Sequence, residues 1–101
     1  MPITKIEEKE SPNETKCWLK VIVIGKEGED EKKVFAEGKR IRWVLRRLEK
    51  ALGFKANNGL PVKANPPFYF FIVECLSKNK DRTKETIREI VEASGETHYA
   101  H

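Results

Sequence analysis

The chain has 101 residues, enough for one domain and too few for two. Apolar residues make up 39% and charged residues 36%, and no apolar run is long enough to span a bilayer. Net charge is +4, concentrated in one stretch: residues 37–63 carry +6, residues 1–16 and 64–101 carry −1 each, and residues 17–36 carry none. Localised positive charge attracts an acidic partner, whether nucleic acid, an acidic protein face or an anionic surface.

Glu far outnumbers Asp, and Gln is absent. That composition is expected of a thermophilic protein, in which ion-pair networks matter and thermolabile amides are few. The opening MPITKIEEKESPNETK is polar and mixed in charge, with neither the apolar core of a signal peptide nor the Arg-rich character of a transit peptide. A cytoplasmic location is expected.

In chain order, residues 1–15 contain Pro2, Pro12 and alternating charges with little apolar content, the pattern of a flexible N-terminal arm. CWLKVIVIG (17–25) is β-branched and apolar at nearly every position, which predicts a strand covered on both faces or paired centrally. GKEGED (25–30) is a turn. EKKVFAEG (31–38) alternates weakly and is expected as the second, edge strand of a hairpin, guarded by its lysines.

KRIRWVLRRLEKAL (39–52) has helical spacing, with Ile41, Val44, Leu45, Leu48 and Leu52 on one face and Gly53 as the stop. The connection 54–67 is long for a compact domain, and LPVKA within it suggests a short extra strand. PFYFFIVECL (67–76) predicts a central strand: Phe68, Phe70 and Ile72 point one way, Tyr69, Phe71 and Val73 the other. A second helix is expected at about 82–94, capped by Asp81, with Ile87, Ile90, Val91 and Ser94 inward and Gly95 as its end. ETHYAH (96–101) is expected to be a disordered tail.

The resulting fold class is α+β: a two-layer sandwich with a small antiparallel or mixed sheet and both helices on one face. Its domain spans residues 16–95. If the helices cover one sheet face, the other needs cover from the arm, the long loop or a second subunit, so either a monomer or a homodimer fits. Left open, that face is itself a binding surface.

The candidate site is the basic helix. On a helical wheel Trp43 lies about 200° from Ile41, and Lys39, Arg40, Arg42, Arg46, Arg47 and Lys50 spread from about 100° to 260° around it. Four of the six arginines are here. Arg suits phosphate because its planar fork bonds bidentately and also stacks on rings. An aromatic among such cations can stack on a base or wedge against a sugar. Lys55 and Lys63 in the following loop extend the patch. The same residues would suit an acidic protein surface with Trp43 as anchor, since interface hot spots are enriched in Trp and Arg. A third possibility is a solvated helix face whose tryptophan is covered by the chain's own loop.

Catalytic signatures are missing. Ser11, Ser77 and Ser94 lack a nucleophile-elbow context, the histidines lie only in the tail, and GKEGED is not a phosphate loop. Glu74 is an acid inside an apolar strand, for which a pair with Lys20 on the neighbouring strand is the simplest account. Cys17 and Cys75 have no metal-ligand spacing, although a disulfide between neighbouring strands is possible. No metal or cofactor is expected. No motif of archaeal chromatin proteins, KH, double-stranded-RNA-binding or ferredoxin-like modules matches residue by residue. The expectation is a non-enzymatic nucleic-acid-binding protein. The alternative is an adaptor or inhibitor that docks on an acidic face of a larger protein, such as one in DNA or RNA metabolism.

Overall fold

A computed structural model gives the architecture, and it describes residues 2–94 and 97–100. Six strands form one mixed sheet, and two helices pack against it. β1 (Ile3–Lys9) and β2 (Lys16–Ile24) pair antiparallel. α1 (Glu31–Leu52) follows, then β3 (Phe54–Ala56) and β4 (Leu60–Val62), which both pair with β5 (Phe68–Leu76). A single 3₁₀ turn leads into α2 (Lys80–Ser94), and β6 (His98–Tyr99) runs parallel to β1. The sheet order is β3-β5-β2-β1-β6, with β4 beside the other half of β5. Thus β2 and β5 are central, as their apolar composition requires.

The core lies on one face of this sheet. Leu19, Val21 and Val23 of β2 alternate inward with Tyr69, Phe71, Val73 and Cys75 of β5. Val34, Ile41 and Leu45 of α1 and Ile87, Ile90 and Val91 of α2 cover them.

α1 begins eight residues before the helix expected from sequence, and the hairpin strand expected at 31–38 is its first two turns. Asp30 is the N-cap, its side chain accepting from the Lys32 N–H at 3.0 Å. The cause of the discrepancy lies at positions 37 and 38. An inward stripe running Val34, Ile41, Leu45 needs apolar residues there, but the chain has a buried Glu and a Gly. Gly38 is required because Tyr69 fills the space: a Cβ on Gly38 would lie 2.2 Å from the Tyr69 Cδ1. The other end of the same ring meets Gly59, where a Cβ would fall 1.7 Å from the phenol oxygen. Burial pushes the Tyr69 phenol pKa up, with Arg42 opposing. Gly53 stops α1 as expected, with φ of 74° and its N–H donating to the Glu49 carbonyl at 2.8 Å.

Residues 1–15 are not a flexible arm throughout, since Ile3–Lys9 is an edge-side strand. Its alternation is masked because Lys5, Glu7 and Lys9 point out while a polar residue, Thr4, occupies the inner row. Nor is 97–100 a disordered tail. Thr97 is buried, its hydroxyl donating to the Pro2 carbonyl at 3.0 Å and lying 2.8 Å from the Thr4 hydroxyl. His98 N–H donates to the Pro2 carbonyl, and Ala100 N–H to that of Thr4. Asp81 sits in the first turn of α2 and is not its cap, because the helix starts at Lys80. The Ser94 side chain, Gly95 and His101 lie outside the described residues. Glu8 holds the far end of β1 to α2 through Lys84 at 2.8 Å and Lys80 at 3.5 Å, and the Lys84 ammonium lowers its pKa. Cys17 and Cys75 face each other across β2 and β5 as free thiols, and burial raises that of Cys75.

Replacing Gly38 by Ala tests the contact with Tyr69. Ala gains helix propensity, but overpacking against a ring buried on all sides costs about 1–3 kcal/mol. Chemical denaturation of Gly38→Ala should show net destabilisation, and a smaller residue at position 69 in the same chain should relieve the clash.

Candidate nucleic-acid interface

The outer side of α1 is a continuous cationic stripe. At about 100° per residue, Lys32, Ala36, Lys39, Trp43, Arg46, Arg47 and Lys50 fall within an arc of about 100°. All seven are exposed, and no acid lies in that arc. From Lys32 to Lys50 the stripe is about 27 Å long, at 1.5 Å per residue. The opposite side of the helix is fixed to the sheet through Val34, Ile41 and Leu45, so the stripe has one orientation relative to the fold.

Trp43 is 59% exposed, the most exposed large apolar side chain among the described residues. The Arg47 guanidinium carbon lies 4.9 Å from its ring centroid, a cation–π contact that orients both groups. The loop that follows α1 does not bury the indole.

Two of the expected cations are spent elsewhere. Arg40 turns inward, donating from Nε to the buried Glu37 carboxylate and from Nη2 to the Ile90 carbonyl at 3.0 Å. It clamps α1 to α2. Arg42 donates to the Asn57 carbonyl at 2.6 Å and to the Asn58 side-chain oxygen at 3.1 Å, which holds the β3–β4 connection against the helix. These are the two arginines at the extremes of the predicted arc. Lys39, Arg46, Arg47 and Lys50 remain outward. Lys32 joins them and was hidden from the sequence reading by the strand expected at 31–38. Asp30 followed by an acid in the first turn was the signal that a helix starts there.

The C-terminal half of the stripe borders an open cleft of about 430 Å³. Arg46, Lys50 and Lys55 stand around it with Asn57 and Asn58. Glu49 is its one acid. It accepts from Arg46 Nε at 3.0 Å and from the Ala56 N–H at 2.7 Å, tying the helix end to β3. Lys55 therefore adjoins the stripe. Lys63 is exposed beyond β4, at the other end of that sheet edge, and does not line this cleft.

Glu74 pairs differently from expectation. It accepts from the Trp18 indole N–H at 2.8 Å and from Lys16 at 3.3 Å. Lys20 instead lies 4.6 Å over the Phe70 ring. The Trp18 hydrogen bond, with Lys16 beside it, holds the Glu74 carboxyl below its ordinary value. This is the reverse of the raised value that suits a general acid near neutral pH. Among the described residues no group of three or more His, Cys, Asp or Glu side chains could hold a metal ion, and no helix is long and apolar enough to cross a membrane.

Comparison with known proteins finds no matching family model, no matching curated protein and no matching solved structure.

The Glu74–Trp18 bond sets a pH dependence. A lowered folded-state pKa contributes stability that is complete above the unfolded value and is lost as pH falls through the folded one. In a Trp43→Phe background, where Trp18 is the only indole, fluorescence should titrate with a midpoint below the ordinary carboxyl value of 4.5. Glu74→Gln should remove that transition.

Proposed function

We propose that this protein binds nucleic acid through the exposed stripe of α1, with the neighbouring cleft as an extension. The observation that carries this reading is Trp43, 59% exposed, holding Arg47 on its ring in the middle of a stripe that contains cations and no acid. In this mechanism Lys32, Lys39, Arg46, Arg47 and Lys50 neutralise phosphates, and Lys55 adds charge from the cleft. Trp43 supplies stacking or wedging, for which every base or sugar offers a suitable face. Arg40 and Arg42 act indirectly, holding the helix and the adjoining loop in position. No base-reading constellation is assigned, so recognition rests on the backbone and is broad in sequence. The chain acts without a catalytic step, and a cytoplasmic setting suits it.

A protein partner with an acidic face is the second reading, because an exposed Trp flanked by Arg is also the composition of an interface hot spot.

Titration with duplex and single-stranded oligonucleotides separates the two. Five neutralised phosphates on duplex DNA give a slope of log affinity against log salt of about −4 to −5. Lys39→Gln or Lys50→Gln should each reduce that slope by about 1. Trp43→Ala should weaken single-strand binding by about 1–3 kcal/mol with the fold intact. Arg40→Gln should instead destabilise the fold and leave the slope unchanged, since it leaves the buried Glu37 carboxylate short of a partner. No binding to either form at low salt overturns the proposal and leaves the acidic protein face as the partner.

A further inference from the structure

The sheet face away from the helices breaks the rule for an antiparallel sheet exposed to water, which is alternation of apolar and polar residues. Trp18, Ile22 and Ile24 of β2 and Phe68, Phe70 and Ile72 of β5 point outward, and none of them joins the core. The register sets them in rows. Ile3, Ile24, Phe68 and Val62 cross the sheet in one row, and Ile22, Phe70 and Leu60 lie in the next. Further along the sheet, Trp18 stands between Lys9 and Glu74. Leu60 is 53% exposed, and Trp18, Phe68 and Phe70 are each part-exposed.

Positive charge is in excess on this face. Its strands carry Lys5, Lys9, Lys16, Lys20 and Lys55 outward against Glu7 and Glu74, five cations to two acids. Lys5 and Lys9 share Glu7, at 3.8 and 3.1 Å, and Lys16 pairs with Glu74 at 3.3 Å. The three lysine side chains still keep 46%, 48% and 44% of their surface in water. Pairs so exposed hold weakly and exchange readily for another anion. Lys55 is exposed at the edge, and Lys20 lies 4.6 Å over the Phe70 ring. A fitting occupant is therefore anionic and also offers flat apolar faces. A nucleic-acid single strand is both, since its bases are unpaired and its backbone is charged at every phosphate. A duplex turns its bases inward and would lay phosphates on the apolar rows. Ring spacing agrees with the single strand. The Phe68 and Phe70 centroids are 6.2 Å apart with planes 30° apart. Bases in a duplex strand rise about 3.4 Å, so bases resting on both rings are drawn apart.

We infer that this sheet face is a second nucleic-acid surface, selective for single strands. Phe68, Phe70 and Trp18 carry bases, and the five lysines hold the backbone. A base on Phe70 takes the place of the Lys20 ammonium, which is then free to meet a phosphate. The bond from the Trp18 indole N–H to Glu74 fixes that ring in place. This surface does not depend on what the α1 stripe binds.

The two tryptophans lie one on each surface, so single-tryptophan variants of the full chain report the surfaces separately. Trp43→Phe leaves Trp18, and Trp18→Phe leaves Trp43. The probes are oligothymidylate and oligouridylate of about twelve nucleotides, within the site sizes of such surfaces, and a duplex of the same length. At low salt both single strands should quench Trp18 fluorescence in Trp43→Phe, and the duplex should not. Adding Phe70→Leu should weaken the affinity read from Trp18 about tenfold. Adding Lys5→Gln should reduce its slope against log salt by about 0.7. Lys5 is exposed, so this variant keeps the test sound if Phe70→Leu misfolds. A Trp18 silent toward both single strands overturns the inference and leaves the face for an acidic protein, whether or not Trp43 responds in Trp18→Phe. A Trp18 response to duplex as strong as to single strands overturns it too. So does one indifferent to both Phe70→Leu and Lys5→Gln. Trp18 quenched while Trp43 stays silent supports the inference and removes the α1 reading instead.

Discussion

The position of everything on α1 depends on one side chain, Tyr69. Its ring lies under Gly38 and its hydroxyl end against Gly59. A helix with any side chain at 38 would have to stand off the sheet, and Arg40 would then lose its reach to the Ile90 carbonyl. The same ring therefore sets how close the helix lies, where the β3–β4 connection passes, and which way Trp43 points. Interiors are packed too tightly for such a contact to be absorbed by small adjustments elsewhere. Close approach also explains why a helix with so charged an exterior is stable: its inner stripe is short, and only intimate contact with β2 and β5 buries it fully.

Polar groups finish what that contact begins. Arg40 with Glu37 joins the helices, Arg42 with Asn57 and Asn58 joins helix to loop, and Glu49 joins the helix end to β3. Each of these residues looks from composition like part of a charged surface. Sorting them by partner leaves a clean division. Some cations are structural and satisfied by carbonyls or a buried carboxylate. Lys32, Lys39, Arg47 and Lys50 face water on one side of α1, with Arg46 beside them held by Glu49.

Much of this was legible in the sequence, and the gaps have physical causes. The 68–76 strand, the core stripe from Ile41 to Leu52, the stop at Gly53 and the short strand at 60–62 follow from local periodicity and turn chemistry. The first turns of α1 were not legible, because the positions that would complete the stripe hold Glu37 and Gly38, whose fitness depends on Tyr69, thirty-one residues away. β1 was obscured by Thr4, a polar residue in an inward row, whose burial makes sense only with Thr97 beside it. β6 is held by backbone hydrogen bonds to Pro2 and Thr4, which leave no mark on side-chain pattern. Within the candidate site, Trp43 and the outward cations were legible from the wheel. The inward turn of Arg40 and Arg42 was not, because a long side chain at the edge of an arc is decided by the acceptors within reach.

The helices occupy one face of the sheet, so the α1 stripe and the apolar sheet face look in opposite directions. Two surfaces set back to back cannot close on one straight stretch of polyanion from both sides. With both bound as proposed, the chain would bridge two separate segments instead of gripping one.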